Sequence, residues 1–91
     1  MTHAVVLIEA ERDAFSDLGG ALADLEGVAE AYSVTGEWDF VAIVRVREHD
    51  RLASVVTDAI VQCNGVVRTQ TMFAFEAFSR HDLEALFALG E

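Results

Sequence analysis

The sequence contains no proline and a single cysteine, Cys63, and only 6 of its 91 residues are basic. Each scarcity excludes something. One thiol rules out a disulfide framework within the chain, which leaves packing to hold the fold and suits a reducing cytoplasm. No proline-rich linker or low-complexity segment divides the chain, so one small domain is expected. The 6 basic residues face 16 acidic ones, for a formal charge of −10. Such a balance repels phosphate backbones, and Arg12, Arg45, Arg47, Arg51, Arg68 and Arg80 are scattered along the chain. Direct contact with nucleic acid is therefore not expected. The apolar run Ala4 to Ile8 is far too short to cross a bilayer or to form the core of a cleavable signal.

Signs of catalysis are equally sparse. His3, His49 and His81 fall on three separate elements, none with a His or Cys partner at ligand spacing, so no metal site is expected. No serine sits in a glycine-flanked nucleophile elbow, and no glycine-rich phosphate loop is present. Cys63 belongs to an apolar helical stripe and reads as an inert core thiol. Neither an enzyme nor a cofactor is indicated.

Apolar residues, by contrast, are plentiful: 53% of the chain, with a mean hydropathy of +0.31. A domain this small has too little interior for so much apolar surface, and part of it is expected to meet another chain.

The order of elements follows from periodicity. Ala4-Val5-Val6-Leu7-Ile8 predicts a strand buried on both faces. Phe15, Leu18, Leu22 and Leu25 share one stripe of a helix over about 13–25, stopped by Gly27. Gly19 and Gly20 weaken that helix and suggest close packing on a sheet. Residues 28–35 and 39–47 form a hairpin around Gly36-Glu37. A second helix, with Asp50 expected as its cap, carries Leu52, Val55, Val56, Ala59, Ile60 and Cys63 on one side and ends at Asn64-Gly65. A fourth strand spans 66–75. Ser79 is expected to cap a terminal helix over about 79–90, with Leu83, Leu86 and Phe87 on one face.

Leu25-Glu26-Gly27-Val28 and Cys63-Asn64-Gly65-Val66 repeat each other, which marks two βαβ halves. The expected fold is α+β, a ferredoxin-like βαββαβ sandwich of the dimeric α+β barrel type: four antiparallel strands, both helices on one face, and an extra C-terminal helix. Phe40, Ala42, Val44 and Val46 alternate with Val41 and Ile43, and Val67, Phe73 and Phe75 oppose Met72 and Ala74. A sheet apolar on both sides needs a second layer, so at least a homodimer packed sheet to sheet is expected.

One segment combines several functional groups: Val34-Thr35-Gly36-Glu37-Trp38-Asp39-Phe40. Gly36 permits a turn that exposes amides. Trp38 is the only tryptophan, and Asp39 opens an otherwise apolar strand. Amides and the Thr35 hydroxyl suit a carboxylate, Asp39 an ammonium, and Trp38 an apolar side chain. Thr69 and Thr71, on one face of the fourth strand with Arg68 and Gln70 on the other, are further candidates for lining a pocket. The same residues also suit an ordinary hairpin, with Trp38 shielding a subunit contact, Asp39 tying down the loop, and the threonines at a solvated strand end.

The Val-Thr-Gly-Glu-Trp-Asp-Phe hairpin resembles the Val-Thr-Gly-x-Tyr-Asp-Tyr hairpin of the Lrp/AsnC (feast/famine) transcription regulators. Gly27-Val28-x-Glu30-Ala31 and Gly65-Val66-x-Arg68-Thr69-x-Thr71 look like that family's openings of strands two and four. The resemblance covers about residues 4–75, with Trp38 where tyrosine is usual. It implies a single effector-binding domain over residues 1–91 that pairs through its sheets and can assemble dimers into rings. It further implies a small-molecule effector, typically an amino acid, held between dimers near the hairpin by Thr35, Gly36, Trp38 and Asp39, with Thr69 and Thr71 nearby. Family members carry an N-terminal helix-turn-helix. Here the first strand begins by residue 4, so the resemblance is to a stand-alone cytoplasmic sensing domain, which would act on transcription through full-length regulators of the family. The other reading of the fold is a small cofactor-free monooxygenase or haem-binding barrel, which would need polar groups inside a cavity between sheet and helices.

Overall fold

The alternation of side chains along the strands settles which side of the sheet is covered. The computed structural model describes residues 1–78. In the first strand, β1 (Thr2–Ala10), Ala4, Val6 and Ile8 are buried, while Val5 and Leu7 between them are only half-buried. The expectation of a strand buried on both faces is thus corrected for the single chain, because both helices lie on one side. The same period of two marks β3 (Phe40–Val46), where Phe40, Ala42, Val44 and Val46 are buried. β2 (Val28–Ser33) and β4 (Val66–Phe73) complete an antiparallel sheet in the order β2-β3-β1-β4. The apolar β1 and β3 are central, and the more polar β2 and β4 form the edges.

A 3-10 turn (Arg12–Ala14) leads into α1 (Phe15–Ala23), which buries Leu18 and Leu22, four residues apart. Phe15 lies at the rim of that contact, its ring edge-on to Phe40 at 5.5 Å. A Cβ on Gly19 would stand 3.4 Å from the Phe40 ring, whereas one on Gly20 would meet nothing within 4 Å. Close packing therefore accounts for Gly19 alone.

The second helix begins earlier than expected. Glu48, extended at φ −113°, takes the N-cap position of α2 (His49–Ala53), with no side-chain cap bond. Asp50 sits inside the first turn, where its charge still favours the helix dipole. A π-helical segment (Ser54–Ile60) continues α2 without a break, and the Val61 amide donates to the Val56 carbonyl, five residues back, at 3.1 Å. The wider turn brings Ile60 into register with Leu52 and Val55, and these three are the buried residues of the stripe. Cys63 and Val56 pack against the same core from its margin. The terminal helix expected over 79–90 lies outside the described residues.

The repeated turns are built alike. Gly27 and Gly65 have φ of 95° and 93°, in the left-handed region open to glycine. Val28 N–H donates to the Leu25 carbonyl at 3.1 Å, and Val66 N–H to the Cys63 carbonyl at 3.3 Å. Each glycine carbonyl then accepts from a strand end or the residue just past one: Arg45 N–H to Gly27 at 2.9 Å, Glu11 N–H to Gly65 at 2.8 Å.

The face of the sheet away from the helices has an apolar centre. The register sets Val5 beside Ile43 and Met72, and Leu7 and Tyr32 beside Val41. Tyr32 and Met72 are 48% and 44% exposed. Ion pairs rim this face: Arg45 to Glu30 at 3.5 Å and Arg68 to Glu9 at 3.0 Å.

Candidate functional site

The segment between β2 and β3 is fixed to the sheet by Asp39. Val34 N–H donates to the Asp39 carbonyl and Asp39 N–H to the Ile8 carbonyl, both at 2.9 Å. The β1–β3 ladder ends at Ile8 opposite Phe40, so the Ala10 amide, on that same side of β1, has no strand residue as its ladder partner. Asp39 supplies a partner: its Oδ2 accepts from Ala10 N–H at 2.8 Å. The carboxylate thus has a structural bond on one oxygen, while Oδ1 accepts none among the described residues.

Beyond Asp39 the hairpin is open. Gly36 has φ of 109°, and a Cβ there would meet nothing within 4 Å. The backbone of Gly36 is therefore left-handed for the turn and uncrowded for an approaching group. Thr35 and Glu37 are exposed beside it, and Trp38 is half-buried.

The sequence did not mark the residue that completes this corner. The Arg68 guanidinium lies over the Trp38 ring, 4.3 Å from its centroid. Its Nε donates to Glu9 Oε1 at 3.0 Å, and a terminal nitrogen stands 4.0 Å from Glu37 Oε2. The pairing of Glu9 with Arg68 across β1 and β4 brings β4 to the hairpin. Arg68 and Glu9 are far apart in the chain, and only strand register reveals that they meet. The corner offers a cation, three carboxylates, an indole face and an open turn, groups that can sort the two ends of a zwitterion.

Thr69 and Thr71 go elsewhere. They pair with Ile8 and Val6 on the helix side of the sheet, whereas Arg68 and Gln70 point to the other side, as their alternation indicates. Thr71 lines a largely apolar cleft of about 320 Å³ between β4 and the start of α2, beside Leu52, Val56 and Phe73. His49 also lines it, its ring stacked on Phe73 at 5.6 Å. The six sequence candidates therefore divide: Thr35, Gly36, Trp38 and Asp39 on the hairpin, Thr69 and Thr71 on the helix side.

Two further groups titrate away from their usual values. Burial raises the Cys63 thiol, whose Sγ lies 3.4 Å from the Ala59 carbonyl, in keeping with an inert thiol. The hydrogen bond from Tyr32 to the Glu30 carboxylate, and that group's charge, raise the Tyr32 phenol. Among the described residues, no cluster of three or more His, Cys, Asp or Glu is placed to hold a metal ion, and no helix is long and apolar enough to cross a membrane.

Comparison with known proteins agrees with this architecture. The model of the Lrp/AsnC ligand binding domain matches residues 3–83. An uncharacterized HTH-type transcriptional regulator of Pyrococcus horikoshii is 31% identical over 77 residues, which cover 81% of this chain and 51% of that protein. The chain thus spans about half the length of the curated relatives it matches. A crystal structure from Thermus thermophilus superposes with a TM-score of 0.81 at 46% identity, over 88% of this chain and all of that one. The feast or famine regulatory protein of M. tuberculosis, solved with L-methionine, superposes with a TM-score of 0.72 at 28% identity, over 87% of this chain and 53% of that one.

Proposed function

Because the chain belongs to the Lrp/AsnC ligand-binding domain family, we propose that it is a sensing module that binds an amino acid at the hairpin corner and influences transcription through partner regulators. The observation that carries this reading is the corner itself. Gly36 keeps an open left-handed turn next to the Trp38 indole, and Arg68 sits over that indole within reach of Glu9 and Glu37. Arg68 and the Thr35 hydroxyl would take the ligand carboxylate, the free oxygen of Asp39 its ammonium, and Trp38 its apolar side chain. L-methionine, found with the M. tuberculosis relative, is the first ligand to try.

A second copy belongs to the same reading. Val5, Leu7, Val41, Ile43, Met72 and Tyr32 leave the outer face apolar at its centre and charged at its rim, the pattern of an interface. Trp38 and Arg68 lie at the border of that face, where neighbouring dimers in a ring would meet. No catalytic step is assigned. DNA contact is left to partner regulators of the same family, since this chain carries a charge of −10.

Calorimetric titration of the full chain against a panel of amino acids tests the assignment. Saturable binding of at least one, weakened tenfold or more by Asp39→Ala, Arg68→Ala and Gly36→Trp, is the expected result. No binding across the panel, or binding indifferent to all three substitutions, removes this site from consideration.

A further inference from the structure

The six basic residues are scattered in sequence, yet the fold gathers half of them. Arg45, Arg47 and Arg51 line one cleft of about 360 Å³ at the end of β3, and Glu26 and Glu48 line it with them. This cleft lies at the other end of β3 from the hairpin corner. Its twin lies beside the second repeated turn. There Glu11, Asp13 and Asp17 line a cleft of similar size, about 360 Å³, together with Asn64 and Gly65. Both triplets have the same spacing, i, i+2 and i+6. In both, the backbone N–H of the first residue donates to the carbonyl of the turn glycine. One backbone device thus stands beside three arginines at one turn and three acidic residues at the other.

We infer that the arginine cleft is a small-molecule site for a doubly charged oxyanion, of which a phosphate group is the simplest example. Three arginines lining one cleft in a chain of charge −10 run against composition; the Arg45 guanidinium is turned to the outer rim, and the planar forks of Arg47 and Arg51 match tetrahedral and planar oxyanions. Two of the three are only loosely occupied. Arg51 meets Glu26 at 3.3 Å and Arg45 meets Glu30 at 3.5 Å, through side chains open to solvent, where such pairs are weak and exchangeable. Arg47 makes no ion pair among the described residues. Val46 and Val55 contribute apolar wall, and Gly27 keeps the hollow clear, because a Cβ there would stand 2.6 Å from a Val55 methyl. A cleft of this size admits a small metabolite. A second copy bringing its acidic triplet is the other possible occupant. Both triplets sit in hollows, however, and two hollows do not interlock.

The test is a titration of the isotope-labelled full chain, followed by amide NMR at constant ionic strength, with inorganic phosphate, glycerol 3-phosphate and succinate in separate arms. Saturable shifts at Gly27, Arg47 and Arg51, with Asp13, Asp17 and Gly65 unmoved as the internal control, are the expected result. Arg47→Ala and Arg51→Ala should each weaken binding tenfold or more while the control resonances keep their positions. The arms separate a phosphate monoester, free phosphate and a dicarboxylate as the better ligand. Uniform or non-saturating shifts in all arms overturn the proposal, as does binding unchanged in the double variant. So does an absence of anion binding combined with a smaller assembled mass for Arg47→Ala, which would assign the cleft to a second copy.

Discussion

The two βαβ halves share a backbone and differ in what they hang on it. Each has a strand, a helix, a left-handed glycine turn and a return strand, and each turn carbonyl is tied to an amide at or just past a strand end. Yet one turn faces Arg45, Arg47 and Arg51 and the other Glu11, Asp13 and Asp17. The first half packs Leu18 and Leu22 from a regular helix, and the second packs Leu52, Val55 and Ile60 through a π-helical segment. Apolar spacing and two glycines specify the frame, while the polar residues around it are free to differ, and chemistry is assigned there.

The sharpest way to break the comparison is at the turn glycines. A Cβ at Gly65 would stand 2.2 Å from the Ala14 Cβ, which is held rigidly by its own backbone. At Gly27 the obstacle is a Val55 methyl at 2.6 Å, which can turn aside. Both positions also carry the cost of a left-handed residue. Gly65→Ala should therefore destabilise by about 3–5 kcal/mol and Gly27→Ala by about 2–3 kcal/mol, read from urea unfolding midpoints. Equal losses would mean that conformation, not crowding, sets the requirement. Gly36→Ala should cost only about 1–2 kcal/mol, since the backbone penalty acts there without a clash. A larger loss would mean that the hairpin is more tightly packed than its open turn implies. The smallest effect is expected at the charges: Glu26→Gln removes a solvent-screened partner of Arg51 and should change stability by under about 0.5 kcal/mol. A larger effect would make the arginine cleft part of the framework instead of a ligand site.

Much of the frame was legible in the sequence because local spacing determines it. The order βαββαβ, both glycine stops, the hairpin and the alternation of β3 all follow from neighbours within a few residues. What escaped was set by distance or by small shifts of local geometry. Arg68 meets Trp38 only because β1 pairs with β4 and the hairpin reaches over their ends. The arginines gather because a strand end and a helix start converge. Asp50 yields the cap position to Glu48 because the chain turns helical earlier than its polar residues suggest. Thr69 and Thr71 were rightly placed on one face of β4, but a single strand does not tell which of its faces the helices cover. At Asp39 the structural reading of the hairpin holds for one oxygen, which ties down the Ala10 amide past the end of the β1–β3 ladder, while the other accepts no hydrogen bond among the described residues.

Whether a ligand is read at the hairpin corner can be asked of the chain directly, because it carries its own reporter. Trp38 is the only tryptophan, so the tryptophan emission of the full chain comes from that corner alone. Titration with L-methionine, followed by the other amino acids, should produce a saturable change in that emission. The change should be lost in Gly36→Leu, whose side chain would fill the open turn. Emission that stays constant through the whole panel at millimolar excess, or a saturable change that survives Gly36→Leu intact, would contradict the claim.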